Sequence, residues 1–105
     1  MNPHFDVTWM PQCGKALERL SQLSQSREHR LRLGGVLREA KIKLARQPRE
    51  WGDPIMDLHG MDAILYNRVF LNAGLSIRYA VHRVQNEVFV QAIIPIRNGI
   101  FDFED

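Results

Sequence analysis

The sequence from Ala63 to Ile96 reads AILYNRVFLNAGLSIRYAVHRVQNEVFVQAIIPI. Apolar residues recur at alternate positions along three segments of this stretch, which is the period of a β-strand. The segments are separated by Asn72-Ala73-Gly74, where Gly74 suits a positive φ, and by Gln85-Asn86. The stretch therefore predicts an antiparallel meander of three strands that ends at Pro95.

The middle segment divides most clearly into a core face and an outward face. Its core face is predicted to carry Leu75, Ile77, Tyr79 and Val81. The outward face carries Ser76, Arg78, Ala80 and His82. This second row is a candidate functional site. The preceding segment places Tyr66, Arg68 and Phe70 on one side and apolar residues on the other as well, so its core face stays open.

The first half of the chain predicts a short strand and two helices. Alternating apolar residues indicate a strand at His4–Trp9, and leucines at three-residue spacing indicate a helix at Gln12–Ser24. A second helical stripe follows a cap at Ser26 and contains Leu33, Val36 or Leu37, Ala40 and Leu44. The layout predicts an α+β fold with a short N-terminal strand, a helical hairpin and an antiparallel β-meander. Residues 1–105 are expected to form one domain, with 97–105 as a C-terminal tail.

Two features interrupt the helical half. Gly34-Gly35 lies within the second helix and costs about 1 kcal/mol per glycine relative to alanine. Either the helix begins after the pair, or the missing side chains allow the two helices to pack closely, which is the explanation we favour. Pro48 and Pro54 are then expected to bracket a loop, with Trp51 covering the end of the core.

Composition places the chain among ordinary soluble proteins, with 45% hydrophobic and 25% charged residues. The lone Cys13 cannot form a disulfide within the chain, and the sequence carries neither a signal-peptide pattern nor an apolar run of membrane-spanning length. A cytoplasmic location is therefore expected, without a membrane partner. The four histidines are far apart in sequence and follow no metal-binding motif, so neither a metal site nor a cofactor is predicted.

The charges are distributed unevenly between the two halves. Residues 1–50 contain ten Lys/Arg and five Asp/Glu, a net +5, whereas residues 51–105 contain four and seven, a net −3. The basic residues predicted to form a binding surface are Arg27, Arg30, Arg38, Lys41, Lys43 and Arg46. Such a surface favours nucleic acid or an acidic protein as a partner, and the alternative is a solvated helix face.

Five short segments carry a resemblance to a known family. They are Leu44-Ala45-Arg46-Gln47-Pro48, Gly52-Asp53-Pro54, Tyr66-Asn67-Arg68, Gly74-Leu75-Ser76-Ile77-Arg78-Tyr79 and Val88-Phe89-Val90. Together with the order of elements, they resemble the RelE/ParE superfamily of toxins from bacterial toxin-antitoxin systems. The resemblance extends from about Phe5 to Ile96.

The resemblance implies the toxin component of a type II toxin-antitoxin module, which acts on ribosome-bound mRNA or on DNA gyrase. It also implies a cognate antitoxin that wraps the helices, covers the open sheet and mediates oligomers. An active member would be a ribosome-dependent endoribonuclease without a metal. In that role Arg68, Arg78 and Arg97 would hold phosphate, and His82 would act as base or acid.

The chain also departs from the family pattern. No lysine follows Lys43, and Ser76 stands where the family has an arginine, with Arg78 two residues further on. Gyrase inhibition is therefore expected at least as strongly as cleavage. So is a catalytically silent binding module of the same fold, whose basic helical half engages nucleic acid or an acidic protein.

The C-terminal residues alternate aromatic and acidic side chains. One interpretation is that Phe101 and Phe103 dock on the domain while the acidic residues lie against the basic helical half. The alternative is a frayed end.

Overall fold

The computed structural model describes residues 4–24 and 26–102, which form a five-stranded sheet with helices packed against one face. The elements are β1 (Asp6–Trp9), α1 (Pro11–Leu23), α2 (Arg27–Arg46), α3 (Pro48–Trp51), β2 (Asp53–Leu58), a 3-10 turn (His59–Met61), β3 (Ala63–Phe70), β4 (Leu75–His82) and β5 (Glu87–Pro95). The strand order is β1-β5-β4-β3-β2, with β1 parallel to β5 and all other neighbours antiparallel. The predicted α+β layout of strand, helices and meander is confirmed.

The helices form where the sequence predicts them. Pro11 occupies the first turn of α1, a position that needs no N–H donor, and Cys13 and Leu20 are its buried residues. The Ser26 side chain caps α2 by accepting a hydrogen bond from the His29 N–H at 3.1 Å. The buried stripe of α2 is the predicted one, namely Leu33, Val36, Ala40 and Leu44. No helix in the described part of the chain is long and apolar enough to cross a membrane.

Both predicted explanations for Gly34 and Gly35 are wrong. The helix α2 begins at Arg27, before the pair, so the glycines lie in its interior. A Cβ atom built on either glycine would meet no atom within 4 Å, so the pair does not serve close packing of α1 against α2. Among the described residues, no contact therefore offsets the cost of about 1 kcal/mol per glycine.

The segment predicted as a loop between Pro48 and Pro54 instead contains the one-turn helix α3 and the start of β2. β2 is an edge strand whose residues are exposed up to the half-buried Leu58, so it shows no alternation between buried and exposed positions. Its ladder with β3 shifts register between Pro54 and Met56. Proline and a register shift are typical of edge strands, and both disguise this strand in the sequence.

The core lies between the helices and the face of β4 that the sequence predicts. Leu75, Ile77, Tyr79 and Val81 are all almost completely buried. The Tyr79 hydroxyl donates a hydrogen bond to the Pro48 carbonyl at 2.6 Å, and Tyr66 stacks on the Tyr79 ring with centroids 5.4 Å apart. Trp51 packs on the other side of Tyr79, at 5.7 Å. These contacts hold α3 against the sheet, and burial raises the pKa of Tyr79.

The chain after β5 turns back onto the domain. Phe101 is completely buried, and its ring lies 6.0 Å from that of His29 on α2. The predicted docking of Phe101 is confirmed, and a frayed end is wrong for residues 97–102. Phe103, Glu104 and Asp105 lie outside the described residues.

Candidate functional site

Arg68 and Arg78 lie on opposite faces of the sheet, so the predicted phosphate clamp is wrong. The ladder between β3 and β4 pairs Arg68 with Ile77 and Arg78 with Asn67. Residues directly paired across antiparallel strands point to the same face. Because Ile77 is a fully buried core residue, Arg68 points to the helical side and Arg78 to the opposite, open face. The two guanidinium groups cannot hold the same phosphate.

Arg68 has a structural role on the helical side. Its Nη1 donates to the Trp51 carbonyl at 3.2 Å, and its Nη2 lies 4.0 Å from the Glu39 carboxylate on α2. The guanidinium also lies over the rings of Trp51 and Phe70, at 5.7 and 5.6 Å. Glu39 in turn accepts a hydrogen bond from the Trp51 indole at 3.0 Å. Arg68 therefore joins α2, α3 and β3 and is not available as a catalytic cation.

His82 shares the open face with Arg78, as predicted, but its ring is not placed to act as a base. Its Nδ1 accepts the backbone N–H groups of Val84 and Gln85, at 3.2 and 3.0 Å. A neutral imidazole that accepts at Nδ1 carries its proton on Nε2, which leaves no free lone pair for proton abstraction. Four residues along a strand also separate the Cα atoms of His82 and Arg78 by about 13 Å.

Arg97 lies in a third place, beyond the end of β5. It lines a groove of about 920 Å³ together with Lys15 and Arg19 of α1. The four predicted catalytic residues thus occupy the helical side, the open face and the end of the sheet. The geometry does not bring together the base, acid and cations that RNA cleavage needs.

The open face is poorly suited to a polyanion. By strand register, Arg78 is the only Lys or Arg that β1 to β5 place on this face among the described residues. Three acidic residues share the face, namely Asp6, Asp53 and Glu87. A phosphate backbone binds where Lys and Arg are concentrated, so this face does not favour nucleic acid.

The single cysteine and the histidines form no second site. Cys13 is completely buried, its thiol lies 3.3 Å from the Val90 carbonyl, and burial raises its pKa. The reactive thiolate is therefore disfavoured. Within residues 4–24 and 26–102, no three His, Cys, Asp or Glu side chains gather closely enough to hold a metal ion.

The predicted basic surface lies mainly on the solvent side of α2. Lys43 is half-buried, whereas the other predicted binding residues are exposed, namely Arg27, Arg30, Arg38, Lys41 and Arg46. Arg30 is engaged locally, since its Nη1 lies 3.5 Å from the Ser24 carbonyl. The described residues provide no ion-pair partner for Arg27, Arg38 or Lys41.

Two exposed apolar residues accompany these cations, and the sequence did not reveal them. Leu31 and Ile42 on α2 are 59% and 54% exposed. At about 100° per residue, Arg27, Arg38 and Lys41 lie within about 60° of one another around α2, and Leu31 and Ile42 lie beside them. The exposed surface formed by these five residues and the Gly34-Gly35 pair is called the outer face of α2.

The outer face of α2 has a low point between two apolar side chains. Leu31 and Ile42 are eleven residues apart, which corresponds to about 16 Å along the helix axis. Gly34 and Gly35 lie between them, with open space above both. The shape is that of a shallow saddle, rimmed by cations, into which the side chains of another helix could fit.

Comparison of the sequence with models of known protein families finds no match. A search among curated proteins finds no significant similarity. The geometry of the chain is therefore the basis for assigning its function.

Proposed function

We propose that the chain is a catalytically silent binding module with a RelE/ParE-like organisation, and that the outer face of α2 binds an acidic amphipathic helix of a partner protein. The observation that carries this proposal is the glycine pair between Leu31 and Ile42. Two glycines destabilise α2 without an intramolecular contact that explains them among the described residues. A partner backbone that approaches α2 closely at this point would explain both positions.

The exposed apolar side chains favour a protein over nucleic acid. Burying a leucine or isoleucine contributes about 1.5–3 kcal/mol, whereas a phosphate backbone offers little apolar surface to bury them. Arg27, Arg38 and Lys41 surround these side chains and would steer an acidic partner. The apolar residues supply affinity in this arrangement, and the cations supply association rate and orientation.

The RelE/ParE resemblance suggests which acidic protein this is. A cognate antitoxin is expected to wrap the helices, and a cytoplasmic location follows from the same proposal. The separation of Arg68, Arg78, His82 and Arg97 supports binding rather than RNA cleavage. Inhibition of DNA gyrase needs no cleavage chemistry and is compatible with a binding module.

A photo-crosslinking experiment tests this proposal directly. A benzophenone amino acid placed at Leu31 is expected to form a covalent adduct with an acidic protein in the native host. The matched control places the same amino acid at Val84, which is 78% exposed but lies in the turn between β4 and β5. An adduct that a nuclease destroys and a protease does not would contradict the proposal, as would equal adducts at both positions.

Once the partner is purified, substitutions on α2 separate apolar from ionic contributions. Ile42→Asp is expected to weaken binding about 10- to 100-fold, because a buried apolar contact is lost. Arg38→Gln is expected to cost less than about tenfold and to reduce the salt dependence. Gly34→Leu is expected to abolish binding while the free chain stays folded, since its side chain fills the saddle. Unchanged affinity for Ile42→Asp, measured by titration calorimetry, would refute the role of this face.

A further inference from the structure

A second cationic surface lies away from α2, in the groove at the end of the sheet. Lys15 and Arg19 line it from α1, and Arg97 lines it from the segment after β5. All three side chains are exposed, and the described residues offer none of them an ion pair. Cations from two distant parts of the sequence therefore meet at one groove without intramolecular neutralisation.

One acidic residue also lines this groove. The Asp102 carboxylate accepts a hydrogen bond from the Asn98 N–H at 2.7 Å, which holds the turn after β5 closed. With three cations and this carboxylate, the lining carries a net charge of about +2 from its Lys, Arg and Asp side chains. An anion is therefore favoured at the rim.

The floor of the groove is apolar. Leu20, Ile93 and Phe101 contribute to it, and each is at most 6% exposed. The volume of about 920 Å³ falls at the upper end of the range for small-molecule sites, which combine apolar walls with a few polar groups that fix orientation. The groove thus has room for an organic body as well as for a charged group.

We infer that this groove binds a phosphorylated small molecule of the nucleotide type, with its phosphates at Lys15, Arg19 and Arg97 and its organic body over Leu20, Ile93 and Phe101. Arginine presents paired N–H donors that match phosphate oxygens, and lysine adds a mobile charge. The groove and the outer face of α2 share no lining residue. The inference therefore stands independently of the proposed function.

The test is a fluorescence titration of the full chain with an adenosine triphosphate analogue that carries a fluorescent ribose substituent. Saturable binding is expected. Arg19→Gln and Arg97→Gln are each expected to weaken it about tenfold, because a charge-assisted hydrogen bond contributes about 1.5–3 kcal/mol. Arg38→Gln removes the same charge from α2 and is the matched control, expected to leave the affinity unchanged. All three residues are exposed, so thermal unfolding should confirm that each variant is folded.

Competition separates the charge from the organic body. Unlabelled adenosine triphosphate is expected to displace the analogue, and inorganic triphosphate to displace it more weakly because it leaves the apolar floor uncovered. Absence of saturable binding would overturn the inference. Equal losses in Arg38→Gln and Arg19→Gln would overturn it too, since they would indicate general attraction to a basic protein. Displacement by an acidic peptide but not by adenosine triphosphate would assign the groove to a peptide instead.

Discussion

Replacing Phe101 with alanine is expected to lower the free energy of unfolding by about 3–5 kcal/mol. The ring is completely buried, packs 6.0 Å from His29 of α2 and lies in the same core cluster as Leu20 of α1. Truncation therefore leaves a cavity between the helices and the end of the sheet. Urea unfolding followed by circular dichroism measures this loss as a lower midpoint with an unchanged slope.

Leu71→Ala is the control for Phe101→Ala. Leu71 is also a large apolar residue, but it is 82% exposed in the turn after β3. Its truncation is expected to change stability by less than about 0.5 kcal/mol. If Phe101→Ala were equally silent, the segment after β5 would not be part of the folded core.

Gly52→Ala is expected to lower the free energy of unfolding by about 2–4 kcal/mol. A Cβ atom at this position would lie 2.7 Å from the Tyr79 hydroxyl and 3.0 Å from the Asn67 carbonyl. The hydroxyl would have to move away from the Pro48 carbonyl, which would lose a buried hydrogen bond. The α3–β2 junction would then separate from the sheet, with weaker near-ultraviolet circular dichroism from Trp51.

The same substitution at Gly34 is expected to have the opposite sign. No atom lies within 4 Å of a Cβ there, so alanine introduces no clash and raises helix propensity by about 1 kcal/mol. A stabilising Gly34→Ala beside a destabilising Gly52→Ala would show that two glycines serve different purposes. Equal effects would mean that one of the two positions is described wrongly.

Local sequence patterns predicted the elements in which one face is uniformly apolar. β4 is such a case, because Leu75, Ile77, Tyr79 and Val81 alternate with polar or small residues and are all buried. The stripe of α2 and its cap at Ser26 were predicted for the same reason. In these elements the burial pattern follows directly from the period of the backbone.

The site could not be predicted, because the position of Arg68 depends on residues distant in sequence. Its face of β3 contains Tyr66 and Phe70 and is buried, although alternation alone left that face undecided. Arg68 is accommodated there by the Trp51 carbonyl and by Glu39, which lie 17 and 29 positions away. Charge suggested an exposed side chain, but cation–π contacts and a carbonyl acceptor hold it on the helical side.

The role of His82 was obscured by the backbone of the following turn. Its Nδ1 accepts two N–H groups from Val84 and Gln85, and the sequence gives no indication of this bond. The glycine pair of α2 was misassigned for a related reason. A glycine in a helix indicates that space is needed, but the sequence does not show on which side of the helix the space lies.

Incubation of the purified chain with ribosomes and a translated mRNA, followed by primer extension, tests most directly whether this protein binds rather than cuts. With Arg68, Arg78, His82 and Arg97 in separate places, no ribosome-dependent cleavage is expected. Val84→Ala serves as the control for a change at an exposed position outside these residues. Fragments that appear with the wild type and with Val84→Ala, but disappear with Arg78→Ala, would contradict this account.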